Sequence, residues 1–292
     1  MAISEALGDR RTIELPAGRL EYRTRGSGPP AVFAHGAAVN GDLWRKVAPA
    51  LAADHRIIVP DLPLGGHALP LNDGADLSLF GAAEILASFI DALDLSDATL
   101  IANDTGGALS QALVGRWPER IGCLVLTSCD AFDNYPPKAI GYLKPTVRVP
   151  PALWLLTQAM RFRALQRLPI AYGWATHAPI EPPIMESYLA ALRTNAGVRR
   201  DFAALLRSAD TDDMQRASES VRGFERPALV IWGADDRFFP RDHGQRLAEL
   251  LPHGRFELVE RSRTFIPEDN PTRLLGLVRE FLAEHGRSGT AS

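Results

Sequence analysis

The sequence predicts an α/β protein: a mostly parallel sheet with helices on both faces and a helical insertion. Three observations predict it. Short apolar runs with β-branched members, at residues 31–34, 98–102, 123–127 and 228–233, read as buried parallel strands. Helical patterns alternate with them. Between residues 133 and 220 the chain becomes proline-rich, with helical spacing and no convincing strand.

Residues 12–15 and 20–24 read as two strands joined by a Pro-Ala-Gly turn. The strand at 31–34 runs into His35-Gly36-Ala37-Ala38. Residues 44–53 read as a helix, and Arg56 to Pro60 as a strand ending at Asp61. Residues 77–93 place Leu79, Ala82, Ala83, Leu86, Phe89, Ile90 and Leu93 on one 3.6-residue stripe, a helix packed on the sheet.

The chain turns on Leu100-Ile101-Ala102-Asn103-Asp104-Thr105-Gly106-Gly107-Ala108. A strand ends, a sharp turn follows, and a helix at 108–116 stops at Pro118. The two glycines let the helix start close against the strand, where a Cβ would clash. Asp104 reads either as an N-cap or as a reactive carboxylate on a strained turn. The next strand, 123–127, leads to Asp130.

Helical patterns at 152–165, 185–194 and 199–206 fill the insertion, which holds Tyr135, Tyr142, Trp154, Tyr172, Trp174 and Tyr188. The core resumes at Pro227. It has a strand to Gly233, a helix at 241–250, a last strand at 256–259 and a closing helix at 272–284.

Three motifs together resemble the α/β-hydrolase superfamily. Ala102-Asn103-Asp104-Thr105-Gly106 is similar to its nucleophile elbow, G-x-S-x-G, with Asp at the nucleophile position. His35-Gly36 after the third strand resembles its oxyanion segment. Trp232-Gly233-Ala234-Asp235-Asp236 resembles the late strand that places the triad acid. Asp at the elbow is the mark of the epoxide hydrolase and haloalkane dehalogenase branch. There a carboxylate attacks an sp³ carbon and forms an ester.

The resemblance implies an eight-stranded α/β-hydrolase core at 1–132 and 221–292, and a cap at 133–220. It implies Asp104 as nucleophile, Asp236 as triad acid, and the N–H groups of Ala37 and Thr105 as oxyanion hole. His35 is expected to be structural. The substrate pocket is expected to draw on Tyr142, Trp154, Trp174 and Tyr188, with Tyr142 and Tyr188 as the pair of cap tyrosines that protonates the oxygen of an opened epoxide. The halide-binding Trp and Asn of the dehalogenases are Thr105 and Ala37 here.

One departure is chemically serious. The family's histidine segment, G-H-F-x-x-x-E-x-P, reads Arg263-Thr264-Phe265-Ile266-Pro267-Glu268-Asp269-Asn270-Pro271. The histidine position is Thr264, which has no useful basicity near neutral pH. The loop should bring Thr264 to face Asp104 and Asp236. Arg237 and Arg263 are candidate donors to Asp236. His177 and His67 are the substitute bases the sequence offers.

The leading expectation is a hydrolase acting on a small apolar epoxide, ester or halide through Asp104. A lyase, cyclase or isomerase using Asp104 as a proton shuttle needs no histidine. A non-catalytic ligand-binding homologue is the third reading. Gibberellin receptors resemble hydrolases and have lost this same histidine. No metal and no cofactor are expected.

The 292 residues are 46% hydrophobic and 23% charged, with a formal net charge of −3 and no basic block. Nucleic acid and membrane are therefore not expected partners. A homodimer is compatible with the composition. No apolar run reaches the roughly 20 residues of a membrane span. Cys123 and Cys129 lie about 20 Å apart along one extended strand, beyond disulfide reach. With no signal-peptide core, these free thiols give a cytoplasmic expectation.

Overall fold

The computed structural model describes residues 1–285. Eight strands form one sheet: β1 (Asp9–Leu15), β2 (Gly18–Arg25), β3 (Pro30–Ala34), β4 (Arg56–Pro60), β5 (Ala98–Asp104), β6 (Ile121–Cys129), β7 (Ala228–Gly233) and β8 (Gly254–Val259). Their order is β1-β2-β4-β3-β5-β6-β7-β8. β1 pairs antiparallel with β2, and β2 with β4; every other pairing is parallel.

The central strands explain the continuous apolar runs. β6 is buried along its whole length, and β5 everywhere except at Asp104. Both faces are covered, so neither strand alternates. Register across the centre is direct: Ala31 pairs with Thr99, and Leu100 with Leu124.

The helices are α1 (Leu79–Ala92), α2 (Thr105–Arg116), α3 (Pro150–Ala159), α4 (Pro182–Thr194), α5 (Ala196–Ser208), α6 (Thr211–Ser220), α7 (Arg241–Leu250) and α8 (Pro271–His285). The Ser78 hydroxyl caps α1 by accepting from Gly81 N–H at 3.1 Å. Asn195 caps α5 through Gly197 N–H at 2.9 Å.

Three expectations need correction. The helix expected at 44–53 is instead a 3₁₀ turn, Gly41–Trp44, followed by one short turn of helix, Ala48–Leu51. The helix expected at 152–165 ends at Ala159, and a separate turn follows at Arg163–Gln166. α6 lies inside the expected cap range but packs on the core. Ser218 Oγ donates to Gln111 of α2 at 2.8 Å and accepts from Phe132 N–H at 2.9 Å. The helices over the C-terminal edge of the sheet therefore end near Ser208. Cys123 and Cys129 are free and buried.

Candidate active site

Asp104 ends β5 and opens α2 with φ +57° and ψ −131°. A non-glycine residue held there costs of order 1–3 kcal/mol, so the surroundings must over-determine it. Two glycines make room. A Cβ on Gly36 would lie 2.5 Å from the Asp104 Cβ and Oδ1, and one on Gly107 would lie 2.3 Å from the Cys129 Cβ. The elbow reading of the sequence and the backbone agree at this point.

Asp104 Oδ1 accepts three hydrogen bonds: from Ala37 N–H at 3.1 Å, Thr105 N–H at 2.5 Å and the Thr105 hydroxyl at 3.0 Å. The two amides expected as an oxyanion hole thus converge on one oxygen of the elbow carboxylate itself. Oδ2 takes no hydrogen bond from the protein, in a residue that lines the cavity. Burial raises the Asp104 pKa, against the pull of those donors.

The cavity has a volume of about 160 Å³. Leu153, Leu156, Met160, Leu189, Phe202 and Leu206 bring the insertion's apolar side chains to it, and Phe238, Phe239 and Phe265 come from the core loops. No lysine, arginine or histidine lines it. Its polar members are Asp104, Thr105, Asp130, Thr157 and three tyrosines, Tyr135, Tyr142 and Tyr172. The Tyr172 hydroxyl donates to the Ala38 carbonyl at 2.6 Å.

The expected pocket residues divide. Tyr142 lines the cavity. Trp154, Trp174 and Tyr188 do not. Trp154 is 44% exposed on the outer face of α3. Trp174 packs edge-on against Phe238, with the Arg237 guanidinium 5.9 Å from its ring. Tyr188 is fully buried behind the cavity, stacked on Tyr172 at 6.5 Å, and its hydroxyl has no partner. Spacing located these aromatics in the insertion; tertiary packing decided which faced inward.

Asp236 and Thr264 meet. The Thr264 hydroxyl donates to Asp236 Oδ1 at 2.9 Å, and the amides of Phe238 and Phe239 donate to the same oxygen at 2.9 and 3.0 Å. Asp236 Oδ2 is buried without a partner. Burial pushes the Asp236 pKa up to about 6, with the Phe239 amide the first of the groups pulling it down. The expected arginine donors are elsewhere: Arg263 Nη1 donates to the carbonyls of Gly173 and Thr176.

Neither substitute histidine reaches the cavity. His177 is partly exposed and pairs with Asp235 at 2.9 Å. His67 is buried against Asp201 at 3.3 Å. His35 is structural in its bonding. Its Nε2 accepts from Leu62 N–H at 2.8 Å, so Nδ1–H donates to the Gly36 carbonyl at 2.8 Å, and burial lowers its pKa to about 3.

From the sequence, Asp130 is a strand-end acid able to poise a water or to raise the Asp104 pKa. It is a member of the site. The Thr105 hydroxyl lies 3.0 Å from Asp104 Oδ1 and 3.2 Å from Asp130 Oδ2. A hydroxyl has one hydrogen, so it donates to one of the two carboxyls at a time. Burial, then the Asp104 charge, drive the Asp130 pKa far up. A neutral Asp130 would offer its own hydrogen to the Thr105 oxygen and leave the Thr105 hydrogen to Asp104. Tyr135 was missed as well. It lines the cavity, and both carboxyls raise its phenol further after burial.

The α/β-hydrolase fold profile matches residues 29–271. The chain belongs to the α/β-hydrolase fold family. It is 25% identical over 292 residues to a cis-3-alkyl-4-alkyloxetan-2-one decarboxylase of Shewanella oneidensis, covering 94% of this chain and 88% of that protein. It is 25% identical over 278 residues to a 2-hydroxy-6-oxo-2,4-heptadienoate hydrolase of Pseudomonas putida, covering 88% and 90%. Among solved structures, an α/β hydrolase fold protein from Burkholderia ambifaria superposes with a TM-score of 0.77 at 25% identity, covering 93% and 100%. The haloalkane dehalogenase of Bradyrhizobium elkani superposes at 0.75 with 20% identity, covering 94% and 99%, which is a likeness of fold.

Proposed function

We propose that the protein is an enzyme acting on a small apolar epoxide, ester or halide through Asp104, and that with an epoxide or an alkyl halide Oδ2 attacks the sp³ carbon and forms an ester as the ring oxygen or the halide leaves. The observation that carries this is the asymmetry of the carboxylate. Oδ1 is held by Ala37 N–H and by Thr105 twice, while Oδ2 is unpartnered in an apolar cavity. Anchoring one oxygen aims the other, and withdrawal from water strengthens it as a nucleophile. For an epoxide, the Oδ2 lone pair forms the new C–O bond as the ring C–O bond breaks. The ring oxygen then takes a proton, and the protonated Asp130 carboxyl in the cavity wall is a source.

Release of that ester by water is the step the site serves poorly. The family resemblance gives Thr264 the histidine's position, its hydroxyl offers no base and it is not among the residues lining the cavity, and base catalysis is worth typically 10²–10⁴-fold. The expected behaviour is a long-lived ester. The test is intact-mass spectrometry after incubation with an aryl epoxide or a primary alkyl bromide. A mass gain on the wild type that Asp104→Asn abolishes, with turnover restored by Thr264→His, supports the reading. No gain and no turnover in either protein across a broad panel favours a ligand-binding homologue.

A second reading is favoured by the Asp130–Thr105–Asp104 chain, which is suited to moving a proton. A lyase, cyclase or isomerase needs no water and hence no histidine. The Shewanella relative is named for a decarboxylation, and loss of CO₂ from a four-membered lactone consumes no water. Turnover without adduct, indifferent to Thr264→His, selects this reading.

A further inference from the structure

Apolar side chains are usually scattered singly on a protein surface, and a cluster of them marks an interaction site. Among the described residues eight large hydrophobic side chains are exposed, and seven of them fall from Tyr142 to Ile170. Phe162 is 67% exposed, Leu155 58% and Val149 53%. They lie on α3, on the turns that lead into it and on those that follow it. The Tyr142 hydroxyl donates to the Ile170 carbonyl at 2.8 Å, joining the two ends of the stretch.

Charge is segregated over the same stretch. From residue 134 to 180 there is no Asp or Glu, while Lys138, Lys144, Arg148, Arg161, Arg163 and Arg167 give six cations. Five are exposed, and Lys144 donates to the Ala209 carbonyl. A chain of net charge −3 therefore carries one segment whose charges are all cationic and whose large apolar side chains are exposed.

We propose that this face docks on an anionic lipid surface, apolar side chains entering the headgroup boundary and arginines pairing with lipid phosphate or carboxylate. Charge decides between occupants. A second copy of this chain seated face to face would set six cations against six. An anionic bilayer supplies the opposite sign over the whole patch, and interfacial apolar faces flanked by Lys and Arg bind in this way. The sequence-based expectation of no membrane partner rested on averaged composition and on the absence of a span, and neither reports a segregated face. Tyr142 and Ile170 belong both to this face and to the cavity wall. An apolar molecule dissolved in lipid would thus meet the cavity without crossing water. The docking does not rest on the chemistry at Asp104.

The test is flotation of the full chain with vesicles of phosphatidylcholine alone and of phosphatidylcholine with 30% phosphatidylglycerol, where that fraction is roughly what gives a strong anionic surface potential. Binding to the anionic vesicles, weakened by 0.5 M salt (on the order of a 4 Å Debye length) and weak on the neutral ones, is expected. A surface cation contributes roughly fivefold to partitioning, so Arg161→Glu with Arg163→Glu and Arg167→Glu should lower binding by at least a hundredfold. Leu155→Ser with Phe162→Ser should lower it more than tenfold, and thermal melts should show both variants folded. Equal binding to both vesicles, no binding to either, or variants that bind as the wild type does would overturn the proposal. So would a stable dimer in light scattering that Phe162→Ser dissociates, which would assign the face to a second copy.

Discussion

Thr264 and Asp236 form a pair in which the threonine hydroxyl donates at 2.9 Å to the carboxylate. The hydroxyl supplies the hydrogen bond and none of the basicity. Thr264→Val should remove it at nearly constant volume. A bond to a charged partner is worth about 1.5–3 kcal/mol, and urea unfolding at pH 8 should register that loss.

Asp236 should also shape stability against pH. Its pKa is about 6 folded and 3.8 as an ordinary carboxyl, so between those values the folded protein holds more protons than the unfolded one. Its contribution is full below the lower value and is lost as the pH rises through 6, about 3 kcal/mol in all. Asp236→Asn should be more stable than the wild type at pH 8 and no more stable at pH 4. A denaturation series across that range with parallel slopes for the two proteins would refute the assignment.

His35 should act in the opposite sense. Its pKa falls from 6.5 to about 3 on folding, so its contribution is full above 6.5 and is lost as the pH drops towards 3. The loss amounts to about 5 kcal/mol at the extreme. His35→Asn should destabilise at pH 7, where two buried hydrogen bonds are disturbed, yet flatten the acid limb. It should leave the pH profile of adduct formation or turnover unmoved, which a base at that position would not allow.

Thr105→Val separates the two chemical readings. It deletes one of three donors to Asp104 and, among the described residues, the one side-chain donor to the Asp130 carboxyl. Ester formation should slow modestly, about tenfold, because both backbone amides remain. A proton-shuttle reaction should fall by 10²-fold or more, in line with typical acid–base contributions. Stopped-flow or mass-resolved rates on one substrate decide it.

Tyr142→Ala should weaken binding of a small apolar ligand by about tenfold, about what removing one buried apolar wall costs. Trp154→Ala and Trp174→Ala should leave affinity within about twofold, since neither ring reaches the cavity. Titration calorimetry with the best ligand from the panel is the measurement.

Much of this was legible in the chain. The elbow was readable because its signals are local: an apolar strand, Asp104, then glycines where the backbones nearly touch. Asp236 and Thr264 were placed by spacing within short motifs. The cavity wall was not legible, because which of six aromatics turns inward depends on how helices pack. Trp154 and Tyr188 share helical spacing with core residues, yet one lies on the surface and the other behind the wall. Asp130 was underweighted for a related reason. Its role depends on a hydroxyl from Thr105, the first residue of α2, and no one-dimensional pattern records that bridge.

The Asn103 side chain has a consequence of its own. Its Nδ2 lies within 3.2 Å of four oxygens: the Thr127 carbonyl and hydroxyl, the Ser128 carbonyl and, at 2.8 Å, the Thr264 carbonyl. The loop bearing residue 264 is thus fastened to the sheet through its main chain, whatever side chain it carries. Position 264 behaves as a socket with interchangeable fittings. Because that main-chain anchor does not involve the side chain, a substitution at 264 keeps it, and on the proposed reading a trap and a turnover catalyst would differ at this one position.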